Sequence, residues 1–206
     1  MILIGQYDSP FVRRVGIALT LYGLAFTHQP WSVFNDGAKL QAINPLMRVP
    51  TLVLDDGLAL TDSHMMLDYL DGMVSTPMFP RDPPIRHRAL RVAAMATGLA
   101  EKAVSLFYEH RLHATVSPVW DARCRSQIAQ VLVWLEAERA GQSQPFWFGA
   151  QIGHADIAIA CALRFLNDAH PGLFGAQDHP ALARHCEQLE AMAVFQAIAQ
   201  PFVAPA

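Results

Sequence analysis

In the run Ser9-Pro10-Phe11, a hydroxyl stands directly before a proline. Proline is favoured at the first position of a helix and serine just ahead of it, so Ser9 is placed at a helix N-terminus. Such a terminus presents unpaired backbone N–H groups and the positive end of the helix dipole, which together suit an anion. A thiolate is an anion. A serine hydroxyl can donate its hydrogen to that sulfur without itself ionising, and a charge-assisted bond of this kind favours the charged form. On spacing alone, the plainer reading of Ser9 as a helix cap has the larger share.

Two further runs carry chemistry of the same kind. In Asn44-Pro45-Leu46-Met47-Arg48-Val49-Pro50-Thr51, Pro50 stands directly before a strand, where it cannot donate to the ladder and where a cis bond would turn the backbone of Val49 outward. Val49 could then pair its N–H and C=O with an extended ligand; an ordinary strand-entry proline is the plainer alternative. Asp62-Ser63 at a helix start offers a carboxylate and exposed N–H groups, able to hold the amino and carboxylate ends of an amino acid, or simply to cap the helix.

The elements that must position these runs are legible from periodicity. Short β-like segments at 1–4, 26–29, 51–54 and 58–60 alternate with helical patterns over roughly the first third of the chain, and Asp55-Asp56-Gly57 signals a hairpin between the last two. The first helix begins at Pro10 and buries Val12, Val15, Leu19 and Tyr22; a short one covers 38–43; a third starts near Asp62-Ser63 and buries Met66, Leu67 and Leu70. The order β-α-β-α-β-β-α is an α/β unit over 1–74. Pro77, Pro80, Pro83 and Pro84 mark 75–84 as a non-helical linker. Residues 85–206 then read as all helical. One long stripe is Val92, Met95, Leu99, Ala103 and Leu106; another is Ile128, Val131, Leu132 and Leu135. The segment 141–153 is a loop with aromatic anchors, and 157–163, apolar on every face, is a buried central helix.

Composition excludes several classes of function. With 52% hydrophobic and 16% charged residues the chain can bury a substantial core. Fifteen basic against eighteen acidic side chains, a formal charge of -3, lie scattered, which argues against a nucleic-acid surface. No apolar run approaches the roughly 20 residues of a membrane span, and Met1-Ile2-Leu3-Ile4 reads as a first strand and not as an export signal, so the expected location is cytoplasmic. Cys124, Cys161 and Cys186 are odd in number and far apart, the pattern of isolated thiols in a reducing compartment. His110 and His113 lack the additional ligands of a zinc site and read as solvated surface, so no metal is expected.

Taken together, Ser9-Pro10-Phe11-Val12-Arg13-Arg14-Val15, Asn44 to Pro50 and Leu60-Thr61-Asp62-Ser63, in that order and spacing, resemble the glutathione-binding domain of the cytosolic glutathione S-transferase superfamily. The run Gly153-His154-Ala155-Asp156-Ile157-Ala158-Ile159-Ala160 resembles that family's second, helical domain. The resemblance implies a thioredoxin-like N-terminal domain followed by an all-α domain. It is nearest to the serine-type classes of plants and bacteria, which implies Ser9 as activator of the glutathione sulfur, with Tyr7 as the alternative hydroxyl. It also implies a cis bond before Pro50, Val49 backbone on the cysteinyl unit, Asp62 and Ser63 on the γ-glutamyl end, Arg48 near the glycyl carboxylate, and Phe11 and Asn35 among the glutathione contacts.

Three departures from the family pattern bear on chemistry. Asp62 replaces the more usual Glu, with a reach shorter by a methylene. Gly153 replaces a Ser or Thr cap, which leaves Asp156 as a stabiliser of its helix start. Cysteine is absent at the position of Ser9, and a serine cannot form a mixed disulfide, so conjugation or hydroperoxide reduction is favoured over thiol–disulfide exchange. The implied activity is that of a detoxifying glutathione transferase with glutathione as co-substrate. A small hydrophobic electrophile would meet apolar side chains from both domains, with Phe34, Phe107, Tyr108 and Arg111 as candidates. A homodimer is implied too. The alternatives are a glutathione-binding or protein-interaction module without turnover, and a glutathione-dependent isomerase or dehalogenase.

Overall fold

The computed structural model describes residues 1–204 and contains four short strands and eight helices among them. In chain order these are β1 (Ile2–Ile4), α1 (Pro10–Leu21), β2 (Thr27–Gln29), α2 (Gly37–Ile43), β3 (Thr51–Val53), β4 (Ala59–Thr61), α3 (Ser63–Gly72), α4 (Pro83–Leu112), α5 (Pro118–Ala140), α6 (His154–Ala169), α7 (Pro180–Glu190) and α8 (Ala193–Ala197). The described residues divide into a unit made of 1–78 with the segment that begins at Met192, and a helical unit over 79–191.

In the first unit the sheet order is β2-β1-β3-β4, with β1 parallel to β2 and antiparallel to β3, and β3 antiparallel to β4. Leu3 and Leu52 from the sheet, Val12, Val15 and Leu19 from α1, and Met66, Leu67 and Leu70 from α3 form one buried cluster. These are the helical stripes that the spacing predicts. Tyr22 is the exception on α1: it sits at the C-cap, half-buried, where its hydroxyl accepts from the Met78 N–H at 2.7 Å and donates to the buried Asp71.

The segment from Met192 onward departs from the expectation that 85–206 is one helical domain, because it packs with the first unit. Its side chain Phe195 is fully buried and its carbonyls are held by Arg13 of α1. The linker expectation is corrected at its end as well. Pro83 and Pro84 open α4 in place of ending a linker, with Asp82 as N-cap. The N–H groups of a first helical turn have no intrahelical partner, so two prolines there cost no hydrogen bond.

In the helical unit, α6 is the central element, and Ile157 to Leu163 are all at least nine-tenths buried. α4 buries Ala89, Val92, Ala93, Ala96, Leu99, Ala103 and Leu106, but Met95 is 37% exposed. Ala96 takes the stripe position, since spacings of three and four run from 92 through 96, 99 and 103, and Met95 is turned about 100° from Ala96. On α5 the buried face is Cys124, Ile128, Leu132 and Leu135, with Val131 half-buried beside it. All three cysteines lie in helices, Cys124 and Cys161 buried and Cys186 half-buried. No helix among the described residues is long and apolar enough to cross a membrane.

Candidate functional site

Strand register brings the three sequence runs to one end of the sheet. Gln29, Ile4, Thr51 and Thr61 form a row across β2, β1, β3 and β4. Ile4 ends β1 and leads to Ser9; Thr51 begins β3 and follows Val49-Pro50; Thr61 ends β4 and leads to Asp62-Ser63. Loops leaving one sheet end in this way are the ordinary place for a site on an α/β unit.

At that end Ser9 is the N-cap of α1, with extended backbone (φ −68°, ψ 124°), and its Oγ accepts from the Val12 N–H at a long 3.4 Å. The hydroxyl hydrogen remains for another acceptor. No acidic side chain lies in the first turn of α1. Phe11, at the second helical position, is half-buried.

The second run is ordered by the side chain of its first residue. Asn44 is 4% exposed, and its amide donates to the Arg48 carbonyl at 3.2 Å, to Thr51 Oγ1 at 3.0 Å and to Thr61 Oγ1 at 3.3 Å. Its Oδ1 accepts from the Leu46 N–H at 3.0 Å, while Thr51 Oγ1 donates to the same Arg48 carbonyl at 2.9 Å. This network fixes the backbone that runs into the cis Val49–Pro50 bond. Val49 is half-buried and Arg48 exposed.

Gly5 joins the first two runs. Its φ of +130° is open to glycine, and an added Cβ would stand 2.5 Å from Val12 Cγ2 and 2.8 Å from Val49 Cβ. The start of α1 and the Val49 turn therefore approach each other over a position with no side chain. A glycine at a strand end was the available signal for this.

The third run carries backbone strain. Asp62 has φ 69° and ψ 121°, a conformation that side-chain-bearing residues rarely adopt and that costs on the order of 1–3 kcal/mol. Its carboxylate accepts from the His64 N–H at 2.8 Å, which caps α3. Ser63 is 4% exposed, and its Oγ accepts from Arg14 Nη1 at 3.3 Å, so the starts of α3 and α1 are tied by a buried guanidinium. Burial, and next the Arg14 charge, push the His64 imidazole below its ordinary pKa against a smaller opposing pull from Asp62, which keeps the ring neutral at neutral pH.

Tyr7 is placed differently from Ser9. Its ring stacks on His28 with centroids 3.8 Å apart, and its Cε1 is 2.8 Å from where a Cβ of Gly16 would be. Gly16 lies about two turns along α1 from Ser9, roughly 10 Å down the axis from the open N-terminus. Burial pushes the Tyr7 phenol up to about 12.

The remaining candidates are dispersed. Phe34 and Asn35 occupy the exposed turn that follows β2, with the Phe34 N–H donating to Ser32 Oγ at 3.2 Å. Phe107, Tyr108 and Arg111 stand on α4 in the helical unit; Phe107 is half-buried, with its ring 6.1 Å from that of Tyr108, which is itself 36% exposed. His110 on α4 and His113 at its C-cap face carboxylates: His110 Nε2 is 2.6 Å from Asp121 and His113 Nδ1 is 2.9 Å from Glu109. Among the described residues no group of His, Cys, Asp and Glu is arranged to hold a metal ion.

Comparison with known proteins places this geometry among relatives. The model of the glutathione S-transferase N-terminal domain matches residues 3–77 and that of the C-terminal domain matches 118–188. The uncharacterized GST-like protein YibF of Escherichia coli is 32% identical over 92% of this chain and 93% of its own length. Glutathione S-transferase U4 of Arabidopsis thaliana is 27% identical over 79% of this chain and 70% of its own. Among solved structures, a glutathione transferase family member from Pseudomonas fluorescens with bound glutathione is 34% identical, with a TM-score of 0.84 over 98% of this chain and 99% of that one. A glutathione S-transferase from Methylobacterium radiotolerans in complex with glutathione sulfonate is 28% identical, with a TM-score of 0.90 over 100% of this chain and 98% of that one.

Proposed function

Because the chain belongs to the cytosolic glutathione S-transferase superfamily, we propose that it is a glutathione transferase in which Ser9 activates the thiol of bound glutathione. The observation that carries the reading is the start of α1: a hydroxyl with a spare hydrogen, at a helix end whose first turn contains no acid. The Ser9 hydroxyl donates to the glutathione sulfur, and the helix terminus adds partial positive charge. Both favour the thiolate, and the thiol proton passes to solvent. Each tenfold gain in thiolate corresponds to about 1.4 kcal/mol.

The thiolate then attacks a small hydrophobic electrophile, forming a C–S bond as the leaving group departs with the bonding pair. With a hydroperoxide, the thiolate attacks the terminal oxygen, the O–O bond breaks and the alcohol leaves; a second glutathione thiol then attacks the sulfur of the resulting sulfenic acid, giving the disulfide and water. Val49 backbone holds the cysteinyl unit, Asp62 and Ser63 the γ-glutamyl end, and Arg48 the glycyl carboxylate, with Phe11 and Asn35 beside them. A guanidinium suits that carboxylate because its planar fork can meet both oxygens. Phe34, Phe107, Tyr108 and Arg111 are the proposed electrophile contacts. The proposed setting is a cytoplasmic homodimer in detoxification.

The test is glutathione binding by calorimetry on the wild type and Ser9→Ala, with ultraviolet titration of the bound thiol. We expect both to bind, the wild type to show a thiolate band at neutral pH and Ser9→Ala to lose it. A band that survives in Ser9→Ala rejects Ser9 as activator. Absence of glutathione binding by the wild type rejects the enzyme and leaves an interaction module.

A further inference from the structure

The segment from Met192 onward is tied to the first unit by polar contacts that cluster around the start of α1. Arg13, one residue before the guanidinium that reaches α3, is 2% exposed and points the other way. Its Nε donates to the Ile198 carbonyl at 2.8 Å and its Nη2 to the Phe195 carbonyl at 2.9 Å, while the guanidinium lies 5.5 Å from the centre of the Phe195 ring. Farther along the tail, Gln200 Oε1 accepts from the Tyr7 N–H at 2.9 Å. Ile198 Cγ2 comes within 3.0 Å of where a Cβ on Gly16 would stand, so the tail lies flush on α1.

These contacts bracket Ser9 from both sides in sequence: Gln200 holds the backbone two residues before it and Arg13 the helix four residues after it. Between them, Ser9 Oγ accepts from the Val12 N–H at 3.4 Å, its carbonyl accepts from the Arg13 N–H at 3.0 Å, and its N–H donates to the Gln6 carbonyl at 3.1 Å. Hydroxyl-to-sulfur bonds depend on position, and Tyr7 stands two residues before Ser9 on the loop that leads into α1.

We propose that 192–200 is a strap for the thiol-activating loop and that Gln200 is a positioning residue for Ser9, acting through the Tyr7 backbone. The inference rests on the reading of Ser9 given above. The strap contributes no group to the substrate; its function is to hold the hydroxyl at the helix end.

The experiment is ultraviolet titration of glutathione bound to the full-length wild type, Gln200→Met and Arg13→Lys, alongside Ser9→Ala, with kcat and KM measured on 1-chloro-2,4-dinitrobenzene. Methionine keeps the length of Gln200 but loses the oxygen acceptor; lysine keeps the charge of Arg13 but cannot serve both carbonyls with a planar fork. We expect Gln200→Met to raise the bound thiol's pKa by about half a unit to one unit and to lower kcat ~3- to 10-fold, with KM for glutathione within about twofold. Arg13→Lys, the second variant should Gln200→Met fold poorly, is expected to shift the titration in the same direction. A titration identical to wild type in the folded variants, while Ser9→Ala is shifted, overturns the strap and leaves Ser9 standing. A wild type with no thiolate band at neutral pH overturns the reading of Ser9 and this inference with it.

Discussion

The N-termini of α1 and α6 are built from the same backbone and dipole but are finished in opposite ways. α1 has a hydroxyl cap at 3.4 Å and no acid in its first turn. α6 starts at a glycine cap and carries its own anion at the third helical position: Asp156, 1% exposed, accepts from the Trp147 N–H and the Gly153 N–H, each at 2.8 Å. The same carboxylate lies 3.0 Å from Nε2 of the buried His185, an ion-pair distance short of hydrogen-bond alignment. One first turn carries an anion of the chain's own and the other carries none. At α6 the terminus serves stability, and at α1 the proposed reading has it serve a bound anion.

The largest effect expected from this contrast is at the closed end. Asp156→Ala strips the partner from two backbone donors, the Trp147 one buried, and leaves His185 without its facing carboxylate. A loss of about 3–5 kcal/mol is expected, read as a fall in the urea midpoint at unchanged slope. A loss under about 1 kcal/mol would mean that α6 is held by its apolar packing alone and that the two ends do not differ in the way described.

At the open end the balance should reverse. Ser9→Ala is expected to lower kcat/KM ~10- to 100-fold while stability changes by no more than about 1 kcal/mol, since the lost cap bond is long and partly exposed. Equal loss of stability and activity would make Ser9 a plain cap.

How far the sequence reveals these ends follows from what each depends on. Ser9-Pro10 and Asp62-Ser63 are local signals, because caps and first-turn prolines act within a few residues. The β-α-β-α-β-β-α order and the α6 core followed from hydrophobic period, which is also local. Met95 missed the buried face because a stripe drawn through 92 and 95 and one through 92 and 96 differ by a single residue. Asn44 was opaque because its three amide acceptors belong to the segment 48–61, brought to it only by strand pairing. Arg13 was opaque for the same reason at longer range, its partners lying about the length of the chain away. Polar hubs are set by tertiary approach, which no spacing encodes.

The α3 start lies between the two extremes: it carries an acid, Asp62, but on the cap residue, exposed and in strained backbone. Asp62→Asn keeps an oxygen for the His64 N–H and removes only the charge, so stability should stay within about 0.5 kcal/mol. Glutathione affinity should fall ~3- to 10-fold if the carboxylate meets the γ-glutamyl ammonium. Calorimetry on the variant decides this, and unchanged affinity would make Asp62 a cap only, like Asp156 in purpose if not in burial.

The smallest expected effect at neutral pH is Tyr7→Phe, and it sharpens the claim that the open terminus acts through Ser9. The phenol's ring lies beside Gly16, well along α1, and its pKa of about 12 keeps it protonated throughout the working range. Titration of glutathione bound to Tyr7→Phe should therefore overlay the wild type within about 0.2 unit; a rise of a unit would transfer activation to Tyr7. The same group should show itself only in alkali. Its ionisation is held off in the folded chain by burial, from an ordinary value of 10.0 to about 12, so its contribution to stability is complete below pH 10.0 and is lost as pH rises towards about 12. The wild type should lose stability more steeply than Tyr7→Phe across that window, a difference that urea unfolding at stepped pH would measure. Tyr22, also raised by burial and by its bond to Asp71, is present in both proteins and cancels from the comparison. A phenol that is silent at neutral pH and audible only above pH 10.0 is one buried for the fold, which leaves Ser9 as the proposed activator.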